Sequence, residues 1–262
     1  MKNYLSAVIL TGMAMSFIAC DQDTQTMPEA EIRPVKMEEE GHKRELGYND
    51  KGKLVTIKST TVMPDKSFIE TTQKMEFDES GKIARTIIDG SWRMEYTYDG
   101  NRIVRTDEYR NSQPHQVHLF TYNVAGRMVE MLTVRENGNG VTPVGKISNV
   151  YDLEGNVMES VNYVFENNRF ELNTTFIYSG YDSMKSGEHH FGAHALNPLA
   201  AVHKNNPGKM IVKNFNGFIS STEEYTYQYD IHNYPVLRYT TVTFPFNGNT
   251  GIYKSEFFYE TL

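Results

Sequence analysis

The chain has 262 residues, with 26 basic and 33 acidic side chains, a formal net charge of −7 and a single cysteine. That balance excludes a nucleic-acid partner, whose phosphate backbone demands clustered Lys and Arg. One cysteine also excludes an internal disulfide framework, yet a chain of this length buries about 70–75% of its unfolded surface and needs none.

Residues 1–19 read as a targeting segment. Lys2 supplies a positive start and a mostly apolar run follows from Tyr4 to Ala19. That run is shorter than the roughly 20 residues that cross a bilayer as a helix, and it ends at a small residue rather than a basic stop. Cys20 comes next, and the segment Phe17-Ile18-Ala19-Cys20 resembles a lipobox, the motif cut by lipoprotein signal peptidase. The expectation is cleavage before Cys20 and lipid on its sulfur; an ordinary signal peptide with an incidental cysteine is the competing reading. Losing Lys2 with the leader takes the formal charge to −8, which gives no electrostatic help in adsorbing to anionic lipid.

Residues 20–45 are polar, contain Pro28 and Pro34 and the cluster Glu38-Glu39-Glu40, and show no apolar period. They read as a disordered tether holding a domain about 25–30 Å from the lipid.

Residues 46–262 repeat one short idea. Tyr48-Asn49-Asp50-Lys51-Gly52-Lys53-Leu54 returns around Phe77-Asp78, Tyr122-Asn123 and Tyr151-Asp152, each with glycine three residues after the Asp or Asn. Tyr98-Asp99-Gly100 is a contracted copy, and Tyr229-Asp230 opens a degenerate one without glycine. An aromatic closes the incoming strand, Asx bonds its own backbone, glycine takes positive φ and an apolar residue starts the outgoing strand. Between the turns, stretches such as 92–98, 169–178 and 224–229 alternate apolar and polar residues with period two. The prediction is an all-β fold: one antiparallel up-and-down meander of about a dozen or more strands, curved or barrel-like. So long a sheet curls or closes because its edges are costly.

One stretch breaks the pattern. Between Ser186 and Lys213 stand His189, His190, His194 and His203, with Asn197-Pro198 and Asn205-Asn206-Pro207-Gly208. Long insertions in a compact meander are often functional, which makes this loop a candidate site. His190 and His194 would share a helical face, but no HExxH signature supports a metal site. The Asp residues of the turns lack the ligand series of a calcium loop and read as turn caps. With no Gly-x-Ser-x-Gly elbow and no free cysteine, no catalytic residue is assigned and no cofactor is expected. Most of the aromatic stripe must be core; at the mouth of a curled sheet, Trp92, Tyr96 and Tyr98 are candidate ligand-lining residues. Asp182-Ser183-Met184 matches a short acceptor pattern for O-glycosylation, on Ser183.

Two families share these motifs. The Tyr-Asp-x-x-Gly turns resemble the YD repeats of RHS proteins, though with irregular spacing and few copies. The lipobox, acidic tether, Tyr-Asx-x-x-Gly hairpins and Asn-Pro loop together resemble a Bacteroidetes family of unknown function with a porin-like fold. That resemblance covers nearly all of the mature chain and implies a barrel-like meander in a bacterial envelope; it carries no activity and no catalytic residues.

The leading expectation is therefore a non-enzymatic, outer-membrane-anchored binding module for an apolar small molecule, lipid or glycan. It is expected to be monomeric and to face the periplasm or the cell surface. A structural protein docking on another envelope component is the second reading, and a hydrolase using the His189–His203 loop the third. Charges within strands, at Arg93, Glu95, Arg169 and Glu171, favour a soluble domain over an integral porin.

Overall fold

A computed structural model describes residues 32–63, 65–137, 140–186 and 203–261. They form sixteen antiparallel strands in chain order. The first eight are β1 (Ile32–Glu39), β2 (His42–Tyr48), β3 (Leu54–Val62), β4 (Phe68–Phe77), β5 (Ile83–Ile88), β6 (Trp92–Asp99), β7 (Arg102–Arg110) and β8 (Gln113–Tyr122). The second eight are β9 (Met128–Asn137), β10 (Gly140–Tyr151), β11 (Val157–Glu166), β12 (Arg169–Ser179), β13 (Lys209–Asn214), β14 (Ile219–Tyr229), β15 (Pro235–Phe244) and β16 (Asn249–Thr261). Each strand pairs with its chain neighbours, and β1 pairs with β16 to close a barrel. The predicted fold class holds, and closure removes both sheet edges.

Period-two alternation puts one set of side chains inside. On β6, Met94 and Tyr96 are buried and join Leu46, Ile57, Met75, Ile83 and Phe257 in the main apolar cluster. A smaller cluster of Phe120, Met128 and Met131 continues it along β8 and β9. The intervening residues face outward as ion pairs within and between strands. Examples are Lys43–Glu45 at 2.7 Å, Lys58–Glu70 at 2.8 Å, Arg93–Glu95 at 3.0 Å and Lys254–Glu256 at 2.8 Å. Arg105 bridges Asp107 at 2.6 Å and Glu136 at 3.0 Å.

Residues 32–45, expected to belong to a tether, are part of the sheet. They contribute β1 and the first part of β2, so the sheet begins at Ile32. The composition that read as a linker is that of a strand with a wet outer face. Lys36 and Glu38 pair across the outside at 3.1 Å, whereas Met37 turns inward opposite Phe257. Pro34, which has no N–H for a ladder, sits at the register shift where β1 bulges.

Hairpins of the meander turn alternately at two rims, so all the Tyr-Asx turns share one. All but the contracted turn at Asp99 are closed by the Asx backbone and side chain together. Asn123 donates its N–H to the Arg127 carbonyl at 2.9 Å and accepts the Arg127 N–H on Oδ1 at 3.0 Å. Asp78, Asp152 and Asp230 make the same pair of contacts with Lys82, Asn156 and Tyr234. The degenerate copy works without glycine because Asn233 takes the positive φ, at 65°. The ladder shifts register beside every one of these aromatics, at Tyr48, Phe77, Tyr98, Tyr122, Tyr151 and Tyr229. The bulge lets two residues three apart, such as Met128 and Met131, both face inward.

Candidate functional site

The aromatics of the repeated turns form a girdle just inside their rim. Tyr98 donates its hydroxyl to the Ile83 carbonyl at 2.9 Å, Tyr122 to Ile103 at 2.7 Å and Tyr151 to Met128 at 2.7 Å. Tyr48 reaches Pro34 at 2.5 Å and Tyr259 reaches Pro235 at 2.9 Å. The acceptor in each case is near or at the start of the preceding strand of its hairpin pair. Burial pushes the phenols of Tyr48, Tyr98 and Tyr151 up to about 12. A second ring runs outside the first: Lys53 donates to the Gly81 carbonyl at 2.9 Å, Lys82 to Gly100 at 2.5 Å and Arg127 to Asp152 at 3.1 Å. The same cations lie over the next aromatic, Lys53 on Phe77 and Arg127 on Tyr151. These bonds are structural: where they occur they bolt one strand or hairpin to its neighbour.

His189, His190 and His194 lie outside the described residues; His203 lies within them. It is buried, with Nδ1 2.7 Å from the Tyr181 hydroxyl and its ring edge-on to Tyr178. Tyr181 in turn bonds the Val157 carbonyl, so His203 buttresses a further member of the tyrosine girdle. Asn206 is the hub of this corner. Its backbone N–H and side-chain amide reach Asp182, and the amide also donates to the Lys185 carbonyl at 2.9 Å. Asn205 holds the loop to the hairpin next door, its N–H on Asn156 Oδ1 at 2.8 Å. Ser183 stands exposed on the same corner. Neither asparagine's role was visible in sequence, because each works through partners more than 20 residues away.

Trp92, Tyr96 and Tyr98 share the inner face of β6 but do different things there. Tyr96 is packed in the main cluster with its hydroxyl on Thr86 at 2.9 Å, and Tyr98 belongs to the girdle. Trp92 lies at the opposite end, under the Arg110 guanidinium, 5.3 Å from the ring centre.

Beyond the girdle the inner wall turns polar. Buried Glu108 accepts from Arg110 at 3.0 Å and sits 3.3 Å from His118, whose Nδ1 is 3.0 Å from Thr133 Oγ1. Burial holds the His118 imidazolium below its ordinary range, against the pull of Glu108. Further round, Arg238 lies 3.6 Å from Glu39 and donates to Ser255 at 3.3 Å. Next to Glu39 opens a cleft of about 190 Å³, lined by Met37, Glu39, His42, Lys43, Arg44, Ser59, Thr60 and Thr61. Four buried atoms of the inner wall find no protein partner among the described residues: Trp92 Nε1, Thr106 Oγ1, Asn149 Oδ1 and Thr240 Oγ1.

The closed barrel has known counterparts. It is similar to a porin-like protein from Bacteroides uniformis, with a TM-score of 0.60 and 14% identity over 89% of this chain and 98% of that one. A porin-like protein from Bacteroides vulgatus aligns over 88% of this chain and 100% of its own at 13% identity, with a TM-score of 0.46. No protein-family profile and no curated protein matches the chain. At these identities the likeness is one of fold.

Within that porin-like fold the described residues hold no cluster of three or more His, Cys, Asp or Glu placed to bind a metal. What the porin-like barrel does offer is a polar inner wall with charged side chains at one side and an aromatic girdle at one rim.

Proposed function

We propose that the chain is an envelope lipoprotein whose barrel stands in water and binds a polar small molecule, of the sugar class, against its inner wall. The carrying observation is the cleft of about 190 Å³ on the inner face of β1, β2 and β3, where Glu39, His42 and Arg44 stand beside Ser59, Thr60 and Thr61. Charged groups with neighbouring hydroxyls supply the mixed donors and acceptors that a polyhydroxylated molecule needs. The size of the cleft suits one sugar ring more than an extended lipid. Sixteen strands give a wider closure than the eight that side chains alone fill.

The outer wall supports a barrel in water despite the porin-like fold. A lipid-facing wall is apolar, and each Arg or Lys there costs about 2–4 kcal/mol at the bilayer midplane. This wall carries Lys58, Arg93, Arg105 and Lys254, each with a carboxylate partner. Attachment to a membrane then falls to Cys20, through a leader over residues 1–19 and a lipobox-like cleavage point. Radiolabelled palmitate is expected to mark the wild-type chain and not Cys20→Ala; equal labelling of the two rejects the anchor.

Native mass spectrometry of the chain purified from its own envelope tests the ligand, followed by calorimetry against a panel of mono- and disaccharides. The expected result is a saturable sugar bound to the wild type and at least tenfold weaker binding to Arg44→Ala. Failure of every saccharide to bind, with none retained on purification, overturns it.

A second reading has its own observation. Phe215, Phe218 and Phe246 stand exposed on two hairpin tips of the rim opposite the Tyr-Asx turns. Exposed aromatics of this kind suit docking on another envelope protein.

A further inference from the structure

All the Tyr-Asx turns lie at one rim, and the chain enters the barrel at that rim with Ile32 and leaves it there with Thr261. Three of those turns carry an aliphatic side chain at their third residue. Val124, Leu153 and Ile231 are 105%, 96% and 93% exposed. In the remaining turns the position holds Asp50, Glu79 or Gly100, as a solvated hairpin tip ordinarily would. The three aliphatics fall in the sector between β8 and β15, so they form a one-sided apolar set among the described turns of this rim. No described residue covers them.

The chain ahead of the barrel points to the surface that meets them. Between Cys20 and Ile32 lie only the residues from Asp21 to Glu31. A segment of that length reaches at most about 40 Å when fully extended, and it joins the wall at Ile32, on the Tyr-Asx rim. A lipid on Cys20 would therefore attach the barrel by the Tyr-Asx rim, with Phe246 at the rim opposite.

We infer that Val124, Leu153 and Ile231 dip into the headgroup–acyl boundary of the membrane that carries the anchor, so that the barrel stands on the bilayer by its Tyr-Asx rim. Shallow apolar insertion of this kind adds buried apolar area to the lipid anchor and fixes which rim of the barrel meets the bilayer. The inference rests on the lipid-anchored reading of Cys20 given above.

The test supplies the anchor chemically, so that failure of lipidation in the cell and failure of the footing are separate results. The mature chain, residues 20–262, is coupled through its Cys20 sulfur to a maleimide lipid in vesicles of phosphatidylcholine brominated on its acyl chains. Leu153→Trp and Ile231→Trp are compared with Phe246→Trp, and the wild type, with Trp92 alone, gives the baseline. Bromolipid is expected to quench the added fluorescence at 153 and 231 at least twofold and to leave that at 246 unchanged. Quenching equal at both rims, confined to 246, or absent at all three sites overturns the inference.

Discussion

The guanidinium of Arg127 occupies the space that a Cβ on Gly155 would need, with Nη2 2.5 Å from that point. Gly155 also holds φ at 105°. The glycine of the repeated turn thus answers two demands at once: left-handed backbone at its own corner, and room for the cation arriving from the turn before.

Gly155→Ala is accordingly expected to lose on the order of 1–3 kcal/mol, through backbone strain and displacement of Arg127. Gly248→Ala makes the comparison, since it has positive φ but nothing within 4 Å of a built Cβ. Urea midpoints of the two variants check this, and a smaller loss at Gly155 than at Gly248 contradicts it.

The girdle hydroxyls make a second comparison. Tyr122→Phe strips the Ile103 carbonyl of its donor and should cost about 0.5–1.5 kcal/mol. The repeat already contains one natural counterpart, Phe77, which has no hydroxyl to give. Chemical denaturation that leaves Tyr122→Phe as stable as the wild type would show the hydroxyl to be idle.

At alkaline pH the same girdle sets a limit. In the unfolded chain the phenols ionise near 10, whereas Tyr48, Tyr98 and Tyr151 resist to about 12 because burial disfavours the phenolate. The unfolded state therefore gives up protons first, and stability that is complete below pH 10 declines between 10 and 12. Ultraviolet titration of tyrosinate alongside urea midpoints follows the decline; a midpoint constant from pH 9 to 12 runs against it.

Acid acts at another place. His118 is held neutral by burial, below its ordinary 6.5, so the unfolded chain takes up a proton there that the folded chain refuses. Stability present above pH 6.5 should fall as pH drops below it. His118→Gln, compared with the wild type at pH 7.5 and 5.0, should lose less on acidification; an identical loss in both assigns the effect elsewhere.

The hairpins and the barrel-like closure were legible because strand alternation and Tyr-Asx-x-x-Gly turns are local signals, each carried within a few neighbouring residues. The start of β1 was not, since Pro34 and Glu38 are ordinary in a linker and become a strand only when Phe257 arrives from the far end of the chain to cover Met37. The turn at Asn214-Phe215-Asn216-Gly217-Phe218 uses the same Asx closure at the other rim, with Asn214 Oδ1 accepting from Phe218 at 3.1 Å. Its phenylalanines obscured it, because they stand where polar residues were expected. The polar inner wall was hidden for a different reason. Glu108, His118 and Thr133 come from three separate strands, and only the register of β7, β8 and β9 brings them together. His203, named with the candidate loop, stands between two tyrosines, Tyr178 and Tyr181, which sequence spacing alone does not bring to it.

An even number of strands brings both ends of the chain out at the same rim. Since neighbouring hairpins are joined by recurring tyrosine or cation bonds, adding or removing a whole hairpin would change the girth of the wall while leaving its height and both exits in place. Girth is thus a variable that this architecture can alter without moving where the wall begins or ends.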